Sequence, residues 1–197
     1  MEWYCTYKEL CKAIQNQTNK TYVRIHKHWK KKKEMTEEMI KDGYLEVISM
    51  DVSNIVLERM TEKYFAAMAN ETRLHDPVAC EYVTMDCTSI AFMDESMQCV
   101  IDKGTIDAIV SKVFGTKYFA LHVQQILREY WRCLRWNGVV IFLSMYPEHI
   151  LLETIQHSLD TFVVHAKWTI QHQMIRSVLF FFGVYTYFLF FFASALF

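Results

Sequence analysis

The sequence predicts a doubly wound α/β sheet with helices on both faces, and three observations carry that expectation. Short runs of strand formers alternate with stretches whose apolar residues recur at helical spacing. One run, "VVIFLSM" at 139–145, is apolar but for a single serine, as a strand covered on both faces should be. Three runs end at an aspartate, namely Asp51, Asp86 and Asp102. Sheets of this class bind ligands beyond the carboxyl ends of their strands.

The elements follow in chain order. "YVRI" at 22–25 reads as a short strand, with a connection and a helix after it. "LEVISM" at 45–50 is a strand that ends at Asp51. Ser53 can then cap a helix through about Ala69, because Ile55, Val56, Met60, Tyr64 and Met68 fall on one face. "EYVTM" at 81–85 and "MQCVI" at 97–101 are strands that lead into Asp86 and Asp102. Thr105–Val113 is a short helix. From 119 to 136, Val123, Ile126, Leu127, Tyr130, Trp131 and Leu134 form the stripe of an amphipathic helix. Asn137-Gly138 breaks it before the apolar strand. Residues 150–159 are helical, and 161–164 and 168–174 read as strands. Any one of the aspartates can be a turn former. Three on one sheet edge favour a ligand site, because an unpaired buried charge is costly.

Bulk composition narrows the classes. A chain of 197 residues suits one domain, and 52% apolar with 22% charged content is globular. A net charge of −1 gives no general attraction to nucleic acid or anionic membrane. Six cysteines without C-x-x-C spacing fit reduced thiols in a cytoplasmic protein, not a disulfide framework or a zinc site. The first residues show no basic flank and no apolar core of a signal peptide.

Three segments carry a family likeness: "DGYLEVISMDVSNIVLERM", "YVTMDCTSIAFMDESMQCVIDKGTIDAI" and "REYWRCLRWNGVVIFLS". Together they resemble class I S-adenosylmethionine-dependent methyltransferases. The nearer likeness is to the methyltransferase-like proteins that modify lysines or the N-terminus of translation elongation factor 1 alpha. The opening "EWYCTYKELC" is similar to that group's N-terminal signature, and the likeness spans about residues 2–174. It implies a Rossmann-like sheet, mostly parallel with an antiparallel closing strand. It also implies S-adenosyl-L-methionine as cofactor and direct methyl transfer to a protein nitrogen, most readily a lysine of a translation factor.

The resemblance also implies roles for single residues. Asp51 would take both ribose hydroxyls, since a carboxylate accepts two donors, and Val52 would pack nearby. Asp86 would accept from the adenine amino group, with the Cys87 backbone beside it. Asp102 and Lys103 would end their strand beside the sulfonium and the substrate amine. Asp102 is the candidate for orienting that amine, Lys103 matches a cofactor-contacting position, and Trp3 matches an N-terminal aromatic lid.

One feature departs from the pattern. The family expects a glycine-rich loop after the first strand, and here stands "HKHWKKKK" at 26–33. Glycine serves at such loops because the backbone must approach the cofactor closely. Two expectations follow: a rewired cradle that still binds cofactor, or a catalytically impaired methyltransferase-like module that binds a protein partner. The lysines are read as a solvated loop and not as a nucleic-acid patch. His26 and His28 have no further ligands at metal spacing.

Residues 1–176 are read as the methyltransferase-like domain and 177–197 as an aromatic, uncharged tail. The tail has two readings. It is the closing strand of the sheet, formed by "GVYTYFLFF" and leaving "FFASALF" unplaced, or it is a membrane anchor with the domain facing the cytosol.

Overall fold

Alternation along the strands decides the layers. In the computed structural model, which describes residues 7, 11, 14–15, 25–26, 35–44, 46–70, 79–113, 117–146, 148–162, 166–175 and 186–195, successive apolar residues go to opposite faces of the sheet. Val47, Cys99, Ile101, Val139, Ile141 and Leu143 pack on one side, with Met35, Met39, Tyr44, Tyr7 and Ile14. Ile48, Val100, Val140 and Phe142 pack on the other, with Val123, Ile126, Leu127, Tyr130, Leu151 and Ile155. A period of two along each strand sends neighbours to opposite faces. Apolar residues at both parities therefore require cover on both sides, and these strands have it.

The elements in order are β1 (Ile25–His26), α1 (Met35–Lys41), β2 (Glu46–Asp51), α2 (Asn54–Asn70), β3 (Ala79–Thr84), β4 (Met97–Lys103), α3 (Thr105–Val113), α4 (Lys117–Cys133), β5 (Leu134–Ser144), α5 (Glu148–Phe162), β6 (Ala166–Ile175) and β7 (Thr186–Ala195). β1, β2 and β3 pair in parallel. β4 pairs in parallel with β5. β7 runs antiparallel between β5 and β6. β1 also lies beside β4, so the spatial order is β3-β2-β1-β4-β5-β7-β6. The chain works outward from β1 to β3, then crosses back to β4. The switch in strand order falls between β1 and β4, where doubly wound sheets open a crevice for ligands.

Several boundaries differ from the sequence reading. β4 runs on to Lys103, so Asp102 and Lys103 lie inside the strand, opposite Phe142 and Leu143. The aromatic helix α4 stops at Cys133 and not at Trp136. Leu134 already pairs with Met97, and the next pair is Val139 with Cys99. Residues 135–138 therefore bulge out of the ladder, and the apolar stripe ends because the strand claims Leu134. Thr161 and Phe162, expected in a strand, close α5. In the tail, residues 191–195 continue β7 and pair with β6, which places part of the segment left unassigned. Among the described residues no helix is long and apolar enough to cross a membrane. Trp3 and the lysine-rich stretch 27–33 lie outside the described residues.

Candidate active site

The carboxyl ends of β2, β3 and β4 carry the expected residues other than Trp3. Asp51 is the last residue of β2 and is buried. Its Oδ1 accepts the Ser53 N–H at 2.8 Å, a turn that leads into α2. Its carbonyl accepts the Met85 N–H at 3.0 Å, which ties the end of β2 to the end of β3. Val52, next in the chain, is 64% exposed and offers an apolar surface at this edge.

Asp86 follows β3 and is exposed. Its Oδ1 accepts both the backbone N–H and the hydroxyl of Thr88, each at 2.8 Å. Its other oxygen takes no hydrogen bond among the described residues. Cys87 is half-buried, and its thiol is pushed up to about 12, first by burial and then by the charges of Asp102, Asp86 and Asp51. Three carboxylates from three strand ends, up to 51 residues apart in the sequence, thus act on the Cys87 thiol.

Asp102 is 1% exposed. Its Oδ1 accepts the Thr105 N–H at 2.8 Å and its Oδ2 accepts the Tyr130 hydroxyl at 2.9 Å. Burial, helped by the charge of Asp107, raises it to about 7 against hydrogen bonds from Thr105, Tyr130 and Ile106, which favour the charged form. Lys103 beside it is also buried. Gly104 then takes φ 80°, a left-handed conformation that glycine adopts without strain. Its N–H donates to the Leu143 carbonyl at 3.1 Å, and its own carbonyl accepts the Ala108 N–H at 3.0 Å to start α3. The strand, the turn and the helix start are therefore fixed around Asp102. The carboxylate faces the protein, not open solvent.

Two functional neighbours were not singled out from the sequence. Tyr130 was read only as part of an apolar stripe. A tyrosine among aliphatic residues signals a buried hydroxyl in need of a partner, and that partner is Asp102. Asp107 accepts the Ser144 hydroxyl and the Met145 N–H, the latter at 2.8 Å, which joins the first turn of α3 to the end of β5. An aspartate there reads equally as an ordinary helix-start residue, so no sequence signal separates the two. Among the described residues no group of histidine, cysteine and carboxylate side chains could hold a metal ion.

A family model described as "Methyltransferase domain" matches residues 32–142, more than half of the chain. The chain belongs to the methyltransferase domain family. The chain is 29% identical over 166 residues to the human "eEF1A lysine and N-terminal methyltransferase" and 28% identical over 166 residues to the mouse protein of that name. Each match covers 79% of this chain and 21% of the relative, so the chain spans about a fifth of their length. Among solved structures, an S-adenosylmethionine-dependent methyltransferase from Methanosarcina mazei superposes with a TM-score of 0.63 at 11% identity, covering 93% of this chain and 97% of that one. At that identity the likeness concerns the fold. It is the Rossmann-like sheet of such methyltransferases.

S-adenosylmethionine is the cofactor that this methyltransferase domain and fold indicate. The described residues fit its adenosine half. Buried Asp51 supplies an acceptor-only group for a diol, the unengaged Asp86 oxygen can accept from an amino group, and exposed Val52 can lie against an apolar ring. The loop expected from the sequence to meet the methionine half falls at 26–33, of which 27–33 lie outside the described residues.

Proposed function

We propose that the chain is the catalytic methyltransferase domain of a protein N-methyltransferase, acting on lysine of a translation factor of the eEF1A type. One observation carries the reading. Asp51 with Val52 and Asp86 with Cys87 lie at the carboxyl ends of β2 and β3, and Asp102–Lys103 ends β4, across the switch point from them. The printed activity of the relatives supports the substrate class.

Bound there, the cofactor would supply an electrophilic methyl group. The residues of the chain orient. Asp51 holds the ribose, Asp86 and the Cys87 backbone hold the base, and Trp3 and Lys103 complete the cofactor contacts. Asp102 orients the reacting end from below, by fixing Lys103, Gly104 and the start of α3. Transfer to nitrogen needs a neutral amine held in line, and positioning supplies most of what such a step requires. Free cysteines at 11, 87, 99 and 133 accord with a cytoplasmic location in this reading.

The test is transfer of labelled methyl from S-adenosylmethionine to purified eEF1A, with site mapping by mass spectrometry. Label on a lysine, abolished by Asp51→Ala, is the expected result. A chain that binds cofactor yet leaves eEF1A unlabelled overturns the substrate assignment.

A further inference from the structure

The loop between β3 and β4 carries Asp86 and Cys87, and it has little regular structure of its own. Residues 85–96 must nevertheless hold one conformation if Asp86 is to meet a flat base edge. Local bonds fix the start: Thr88 binds the Asp86 carboxylate, and the Ser89 N–H binds the Asp86 carbonyl at 3.1 Å. Ile90 then turns into the core at 5% exposure.

Ala91 N–H reaches Met85 Sδ at 3.3 Å and the Ser96 hydroxyl reaches the Met93 carbonyl at 2.7 Å, and a residue pair from α4 ties the second half of the loop to the domain. The guanidinium of Arg132 donates five hydrogen bonds. Nη1 reaches the Phe92 carbonyl at 2.8 Å and Asp94 Oδ1 at 2.6 Å. Nη2 reaches the Ile90 carbonyl at 2.6 Å and Glu129 Oε2 at 2.7 Å. Nε reaches Glu129 Oε1 at 3.1 Å. A guanidinium has five N–H groups, so every donor is used. Glu129 completes the grip, because its Oε2 also accepts the Ile90 N–H at 2.8 Å. At the far end of the loop Glu95 takes φ 53°, an uncommon left-handed conformation, and its N–H donates to the Arg132 carbonyl at 2.9 Å. One turn of helix thus takes hold of the loop at Ile90, Phe92, Asp94 and Glu95.

We propose that Glu129 and Arg132 are positioning residues that set the loop of Asp86 and Cys87 for recognition of the adenine base. The proposal rests on the cofactor reading above and adds to it the origin of base selectivity. Neither residue touches the site itself; both act through the loop. A lysine at 132 cannot replace the planar fork, since it has three donors on one nitrogen. A glutamine at 129 keeps an oxygen for the Ile90 N–H and loses the charge.

Two measurements on Arg132→Lys and Glu129→Gln test it. The first is amide hydrogen exchange on the ligand-free chain. In Arg132→Lys, exchange at Ile90 and Glu95 accelerates about tenfold, the loss of one charge-assisted bond's worth of protection, while β4 and the middle of α4 are unchanged. Glu129→Gln falls between this variant and the parent. The second is the affinity ratio for S-adenosylhomocysteine over S-inosylhomocysteine, which differ at the group Asp86 would read. That ratio falls about tenfold in Arg132→Lys, equivalent to one such contact. Unchanged loop exchange, exchange accelerated across the whole domain, or a preserved ratio in a variant that still binds would each overturn the proposal. If the parent chain binds neither ligand, the cofactor reading fails and base positioning fails with it. The exchange result, which needs no ligand, distinguishes that case.

Discussion

Asp102 is buried near the end of β4, and its carboxylate is held by the hydroxyl of Tyr130, which α4 supplies from 28 residues on in the chain. Burial lifts its folded-state value to about 7, above the ordinary carboxylate range. A raised acid means that the folded chain binds this proton more tightly than the unfolded chain does. The contribution to stability is present below the unfolded value near 4 and is lost as pH rises through about 7. Asp102→Asn cannot ionise. Relative to the parent, its stability should therefore rise between pH 5 and pH 8, measured by urea unfolding at each pH. A constant difference across that range would show that Asp102 is not raised. Cys87 offers a second check. With its thiol pushed up to about 12, it should react with alkylating reagents at pH 7.5 far more slowly than a free thiol, despite being partly exposed. Mass-spectrometric alkylation rates would measure this. The aspartates could be picked out because carboxylates at strand ends are conspicuous. Arg132 and Glu129 could not, because charged residues on an amphipathic helix read as a solvated face.

At the level of elements, helices and strands were legible wherever periodicity was strong, and boundaries failed where pairing overrode it. Thr105–Val113 is a helix as read. Residues 134–136 continue the helical stripe in sequence, yet Leu134 is taken into β5 by Met97. The bulge that follows depends on Gly138. A Cβ added there would lie 2.8 Å from the Arg135 carbonyl oxygen and 2.8 Å from a Leu134 side-chain carbon. The carbonyl belongs to the backbone and can move only with the bulge. Gly138→Ala should therefore destabilise the domain by about 1–3 kcal/mol, the range for overpacking, measured as a lower urea midpoint. The asparagine–glycine pair, expected to end the helix, lies within β5 instead, because α4 has already stopped at Cys133 and the strand begins at Leu134. Thr161 and Phe162, expected to begin a strand, close α5 instead, because a β-branched residue at the end of a helix looks like the start of a strand.

For the whole molecule, the class of fold was readable because both faces of the strands are apolar. That demanded two layers of cover, which the structure supplies in two separate clusters. Strand order was not readable from periodicity, since it depends on long-range pairing. Its consequence is a switch in strand order between β1 and β4, the place where sheets of this class take ligands, and the proposed site lies along that carboxyl edge. In the proposed function this edge binds S-adenosylmethionine through Asp51 and Asp86, whatever takes the place of a glycine-rich loop at 26–33. Calorimetric titration of S-adenosylhomocysteine onto the folded chain, with Asp51→Ala beside it, tests this most directly. Saturable binding in the micromolar range, weakened about 100-fold by the substitution as expected for a lost pair of charged hydrogen bonds, is the result the account requires. A folded chain that binds nothing at millimolar ligand would contradict it.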